Sequence, residues 1–288
     1  MPYADLHTHT CYSDARPSPE ELAAHAAALG LKVLAITDHE NTRGARQAVD
    51  AAAAHGIELI PAIELTTRWD GFGWPAWGGG TDVLGYFIDW DHPAMMQLER
   101  EMLDDYYAQI DDTLARMRKD GFPVTMAECF AVNPHYVSGY EVIKVLQGKG
   151  LALGPARDEA FDRFNSHWRA VCEMRFPIAR AIETIHAAGG VAVLAHPVVL
   201  QSEAGQRITA HDVAQLVEMG LDGIEVYHYR MAEPAVQRYF LDIADSCGLL
   251  ISGGSDEHGW PDGFPRLGRQ PITPEMVEAL RERSARWR

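Results

Sequence analysis

Cysteine is scarce in this chain. Cys11, Cys129, Cys172 and Cys247 are the four it has in 288 residues. No two are close enough for a Cys-x-x-Cys motif, which excludes the common thiolate zinc and redox signatures; reduced cytosolic thiols are expected instead. Basic residues are also short, with 25 Lys plus Arg against 41 Asp plus Glu and a net charge of -16. Binding duplex nucleic acid needs a basic face that displaces counterions, so that partner is not expected. A small phosphorylated substrate stays open, because bound divalent ions reverse the local field of a cleft. Long apolar runs are missing: none approaches the ~18–20 residues of a spanning helix. The start, Met1-Pro2-Tyr3-Ala4-Asp5, lacks the charged and apolar segments of a signal peptide. A cytoplasmic protein with no membrane partner is expected. There is no fixed-period repeat, and nothing in the pattern fixes an oligomeric state.

What is present is alternation. Short apolar strands are predicted at residues 3–6, 32–37, 57–65, 81–88, 191–195, 223–227 and 249–252. Helices follow most of them, and several end at a glycine such as Gly30, Gly56 or Gly220. Ser18-Pro19-Glu20-Glu21 is a helix start with a serine cap and proline at the first turn. Strand–helix alternation implies a parallel sheet. Between residues 93 and 177 the alternation stops, and the pattern reads as helices at 94–120, 139–147 and 155–168. The expected organisation is a barrel from residues 1–92 and 178–288, with 93–177 as a helical insertion subdomain. Residues 68–80 read as an extended loop, in which Trp69, Trp74 and Trp77 are either pocket walls or plain packing.

Chemistry in such barrels sits where strands end. The first strand runs into His7-Thr8-His9, and residues two apart in extended chain point the same way, so both rings can grip one ion. Asp14 follows in the same loop. The second strand ends at Asp38-His39, where Asp38 either orients a metal-bound ring or caps the next helix. The third ends at Glu64, a carboxylate that is costly after a buried strand unless paired or ligated. The fifth leads to His196-Pro197, and the last to Gly254-Ser255-Asp256-Glu257-His258. His7, His9, Asp14, His39, Glu64, His196, Asp256 and His258 are therefore the candidate metal ligands. Imidazoles with carboxylates suit Mn, Fe or Zn, and the set is too large for one ion, so two or three divalent ions are expected. His228, just past the sixth strand, is a candidate substrate contact. Arg16 reads as surface, as do the histidines at 25, 55, 92, 135, 167, 186 and 211 as surface or core.

The strings Asp5-Leu6-His7-Thr8-His9, Ile36-Thr37-Asp38-His39, Glu64, Ala195-His196-Pro197 and Gly254-Ser255-Asp256-Glu257-His258 resemble the PHP (polymerase and histidinol phosphatase) family. Within it, the chain looks most like small phosphoesterases such as nucleoside 3',5'-bisphosphate phosphatases and cyclic-phosphate dihydrolases. The resemblance implies a distorted (β/α)7 barrel with an inserted helical subdomain, and an α/β fold class. It implies a first ion on His7, His9, Glu64 and Asp256, a second on Glu64 and His196, and a third on Asp14, His39 and His258. A hydroxide bridging the metals would attack phosphorus in a small phosphate ester, a nucleotide or a sugar phosphate. The chain departs from the family pattern in two places. Asp82 stands where a histidine is usual, and Gly139-Tyr140-Glu141 stands where an Arg-Pro-His is expected to bind phosphate and add a ligand. Asp82 or Glu141 can still ligate. Two other readings stay open: a metallohydrolase of the same barrel acting on a non-phosphate bond, and a binding protein without catalysis. A short single strand threaded to the metals is a variant of the first reading.

Overall fold

The computed structural model describes residues 3–74, 80–152, 159–259 and 263–288. Trp77 and the start of the helix expected at 155–168 lie outside the described residues. The chain opens with β1 (Ala4–Asp5), α1 (Pro19–Ala28), β2 (Val33–Ile36), α2 (Arg43–Ala54), β3 (Glu58–Thr67), β4 (Phe72–Gly73) and β5 (Thr81–Tyr86). Five helices follow: α3 (Pro93–Lys119), α4 (Met126–Val132), α5 (Gly139–Gly148), α6 (Glu159–Val171) and α7 (Ile178–Ala187). Strands then return as β6 (Val191–Leu194), β7 (Gln201–Ser202), α8 (Ala210–Glu218), β8 (Gly223–Tyr227), α9 (Pro234–Cys247), β9 (Leu250–Gly253) and α10 (Pro274–Ser284).

Seven strands form one sheet in the order β1-β2-β3-β5-β6-β8-β9. The α/β class and the strand positions agree with the sequence reading; the all-parallel sheet does not. β5 runs antiparallel to both β3 and β6. The reason is the connection: no helix intervenes between β3 and β5, and a loop that doubles back returns the chain antiparallel. That loop also contributes β4, which pairs with β7 in a small ribbon; strands of two residues carry no readable period. Glu64 does not end its strand either, since β3 continues to Thr67.

The first and last strands meet beyond their own ends. Thr8 bridges Glu257 in parallel, His9 N–H donates to Glu257 O at 3.0 Å, and Asp256 N–H donates to His7 O at 2.8 Å. Gly254 permits this approach, because a Cβ there would lie 2.3 Å from both Cβ and N of His7. Helices seal the outer face: Leu22, Ala26, Ala45 and Ala48 bury against Leu34 and Ile36, each large side chain contributing about 1.5–3 kcal/mol. Ser18 caps α1 with the reciprocal Glu21 bond, as its sequence indicates. Helices α3–α6 share a separate apolar cluster that includes Ile110, Leu114, Met117, Val142, Leu146 and Phe164. The amino-terminal part of α3 instead packs with the sheet through Met95, Leu98 and Met102. Among the described residues, no helix is long and apolar enough to cross a membrane.

Candidate metal centre

The parallel strands deliver their carboxyl ends to one place. His7 and His9 follow β1, His39 follows β2, His196 follows β6, and Asp256 and His258 follow β9. Three groups of donor atoms lie within 4.8 Å of one another: His7, His9 and Asp256; His7, Glu64 and His196; and His9, Asp14, His39 and His258. Every residue named as a ligand from the sequence is in this assembly. Glu64 is its hub. Its Oε2 lies 3.2 Å from His7 Nε2, 3.2 Å from His9 Nε2 and 3.6 Å from His39 Nε2, and its Oε1 lies 3.1 Å from His196 Nε2.

The atoms fit divalent cations. Among the described residues, the buried His9 Nε2 and Asp14 Oδ1 have no well-directed hydrogen bond, although Glu64 and Asp256 oxygens face the first and His258 the second. Buried polar atoms rarely stay unpartnered unless an ion takes the place. Without metal, the charges answer one another. Burial opposes charge on His39 and His258, but Glu64 and Asp14 outweigh it and push their pKa values up to about 10 and about 9. Burial likewise opposes charge on Glu64 and Asp256, and the surrounding imidazoles hold both carboxylates well below their ordinary range.

The backbone is strained at this point. His196, Asp256 and Glu40 adopt left-handed φ of 26°, 51° and 57°, a region costly for residues with a side chain and concentrated at functional sites. Asp38 neither touches a ring directly nor caps α2. It accepts Thr10 N–H at 2.7 Å, Thr10 Oγ1–H at 2.6 Å and Ser13 Oγ–H at 2.7 Å; Ser13 Oγ in turn lies 3.4 Å from His9 Nδ1. Asp38 thus fixes the loop that carries His9. His228 corrects its expected role as a substrate contact. It is fully buried, its Nε2 lies 3.3 Å from Asp256 Oδ2, and it does not line the cavity. Glu141 is spent on its own helix, with Oε2 accepting Ser138 N–H and Oγ–H at 2.7 Å each. Asp82 does face the centre, 3.7 Å from His196 Nε2.

Sequence reasoning missed Glu225. It sits in the middle of β8, fully buried; its Oε1 is 3.0 Å from His7 Nδ1, and its Oε2 accepts His196 N–H at 2.8 Å. A carboxylate bound to Nδ1–H turns the other ring nitrogen, as an acceptor, toward the ion. The signal was available, since a Glu inside Gly-Ile-Glu-Val-Tyr is as costly to bury as Glu64. Glu225→Gln is expected to lower metal affinity about 10- to 100-fold, because its amide presents N–H to a nitrogen that already carries hydrogen. Metal titration monitored by calorimetry checks this, and wild-type affinity in the variant rules out the orienting role.

The centre opens into a cavity of about 540 Å³. Asp14, His39, Glu64, His196 and Asp256 line it. So do Tyr106, Tyr136, Tyr140, Phe164 and Trp168, from helices α3, α5 and α6 and the loop before α5.

A PHP domain is matched over residues 5–122. The chain is 31% identical over 276 residues to the 5'-3' exoribonuclease of Haemophilus influenzae, across 92% of this chain and 93% of that protein. The chain belongs to the PHP family. As a PHP protein it is a metal-dependent phosphoesterase, a phosphoric ester hydrolase. The PHP chain is also 27% identical over 296 residues to the 3',5'-nucleoside bisphosphate phosphatase of Chromobacterium violaceum, covering 99% of this chain and 98% of that one. Its fold matches a protein from Bifidobacterium adolescentis described as a metal-dependent phosphoesterase, at a TM-score of 0.79 and 23% identity over 98% of both chains.

Proposed function

We propose that this PHP enzyme hydrolyses a phosphate ester of a nucleotide, either a mononucleotide or the end of a short single strand. The observation that carries the reading is the continuity of one cavity from the ligand cluster to the aromatic walls of the helices. Aromatic faces stack on bases and tolerate any of them. A sugar phosphate without a base leaves these walls without a use. The relatives named for RNA and for nucleoside bisphosphates share this chemistry, a nucleotide carrying phosphate.

The reading assigns residues 93–177 to a specificity subdomain set against a distorted seven-stranded barrel, in support of which Thr8 and Glu257 link the outer strands. It also assigns the ligands. His7 has only Nε2 to offer, because Nδ1 is engaged by Glu225. His7, His9 and Asp256 would hold one ion together with Glu64. Glu64 and His196 would hold a second, with Asp82 beside His196, and Asp14, His39 and His258 would hold a third. When bound, such ions lower the pKa of water and neutralise charge on phosphoryl oxygens. The protein residues do the placing: Glu225 and the Ser13–Asp38 pair fix the rings, and the aromatic wall holds the leaving nucleoside.

Release of inorganic phosphate from adenosine 3',5'-bisphosphate, 5'-mononucleotides and sugar phosphates, and of mononucleotide from a short oligoribonucleotide, tests the reading. After exhaustive chelation, activity is expected to fall to background and the melting temperature to drop, since an ion bound only to the native state stabilises it. Mn²⁺ is expected to restore both. A protein fully loaded with metal that cleaves only sugar phosphates, or no phosphate ester, defeats the nucleotide assignment.

A further inference from the structure

We propose that Arg230 and Arg266 form the phosphate grip of this enzyme, set on the loops after β8 and β9, a role that rests on the nucleotide reading above. The two side chains alternate with aromatic rings along the cavity. Arg266 Cζ lies 4.1 Å from the centroid of the Tyr229 ring. Arg230 Cζ lies 4.9 Å from the same ring and 5.1 Å from the Trp74 ring. At one end, Arg266 Nη1 donates to the backbone oxygen of Asp256 at 3.2 Å; at the other, the Trp74 ring lies 6.0 Å from that of His196. The row thus runs from one metal-ligand candidate to another, and both arginines line the cavity.

The loop that carries Arg266 is tied down by buried carboxylates. Buried Glu257 accepts the backbone N–H groups of Arg266 and Leu267 at 2.7 and 3.2 Å, and buried Asp5 accepts that of Gly268 at 2.8 Å. Carboxylates abound in this chain, with 41 against 25 basic residues. Even so, no carboxylate pairs with Arg230 or Arg266 among the described residues. Two guanidinium groups held on a shared ring with no counter-ion attract an anion, and their planar forks match phosphate oxygens. The aromatic faces orient them and support their charge.

The placement also explains a departure of the sequence. Where the family resemblance expects a phosphate-binding arginine, the chain has Gly139, and a Cβ there would lie 2.8 Å from the Phe164 ring. The neighbouring Glu141 is committed to the cap of α5. At this position of α5 the Phe164 ring occupies the space beside the glycine, Lys144 one turn on lies over the Tyr140 ring, and the guanidinium groups of the grip come from the loops after β8 and β9 instead.

Calorimetric titration of metal-free protein with adenosine 3',5'-bisphosphate, adenosine 5'-monophosphate and adenosine tests the grip. Arg230→Gln and Arg266→Gln are each expected to weaken bisphosphate binding about tenfold or more, with adenosine unaffected and metal content on loading unchanged. Loss for both nucleotides places the grip on the phosphate they share, and loss for the bisphosphate alone places it on the other. In the loaded enzyme, the same variants are expected to raise KM about tenfold while kcat stays within about threefold. Arg230 is exposed, so its variant reads function even if Arg266→Gln disturbs its loop. Unchanged bisphosphate affinity and KM in Arg230→Gln and Arg266→Gln overturn the proposal, as does an equal loss for adenosine. Wild-type protein that binds no phosphate with or without metal overturns it too. Because the binding arm needs no turnover, failure to cleave nucleotides defeats the reading of the reaction and leaves the grip to be judged separately.

Discussion

Glu64→Gln is expected to fold, to lose bound metal and to turn over at least about a thousandfold more slowly than the parent chain. The size of the effect follows from the position of one carboxylate. Oxygens of Glu64 lie within 3.2 Å of His7, His9 and His196, and within 3.6 Å of His39. Rings that reach all three ligand groups therefore converge on it. Gln keeps the volume and one acceptor oxygen but removes the charge that two ions would share. Its amide would also present hydrogen where an imidazole or an ion must approach. Elemental analysis after reconstitution, with kinetics on the same sample, separates loss of metal from loss of a purely chemical role. A variant that keeps its full metal complement and its rate removes Glu64 from the centre.

The candidate ligands are legible because they obey a local rule, and the residues that support them are harder to see. His7 and His9, or Asp256 and His258, are two apart at the end of a strand, and that spacing is readable without any tertiary knowledge. Asp38 was visible too, but its use depends on Thr10 and Ser13 folding back over it, which no periodicity encodes. Glu225 sits in a strand whose apolar pattern otherwise ran unbroken. His228 looked like a substrate contact because it follows a strand end; only the fold shows that the chain turns it inward, onto Asp256. The reversal of β5 escaped notice for a similar reason. Strand direction depends on the path of the connection, and the loop at 68–80 carries no helix to announce a crossover. The arginines after β8 and β9 stand far apart in sequence and share a function only through Tyr229.

Gly254→Ala should be a strongly damaging single-methyl change in the scaffold. The added carbon would meet His7 Cβ and N at 2.3 Å and His7 Cα at 2.8 Å. These are atoms of a strand end, two of them backbone, so no change of side-chain rotamer relieves the clash. Either β1 or β9 must move, and the bonds from His9 to Glu257 and from Asp256 to His7 break with the movement. Overpacking of this kind costs about 3 kcal/mol or more, which corresponds to a melting temperature lowered by roughly 6–12 °C. The same shift displaces His7 from Glu64 and Glu225, so metal retention should fall along with stability. Gly148→Ala is the matched control. It lies at the end of α5 with nothing within 4 Å of the added carbon, and alanine there should be neutral or stabilise by up to about 1 kcal/mol. Comparing the two by thermal melting, with and without Mn²⁺, reads the junction directly. If Gly254→Ala melts with the control and binds metal normally, the ends of β1 and β9 do not meet as closely as described, and the pairing of His7 with Asp256 needs another support.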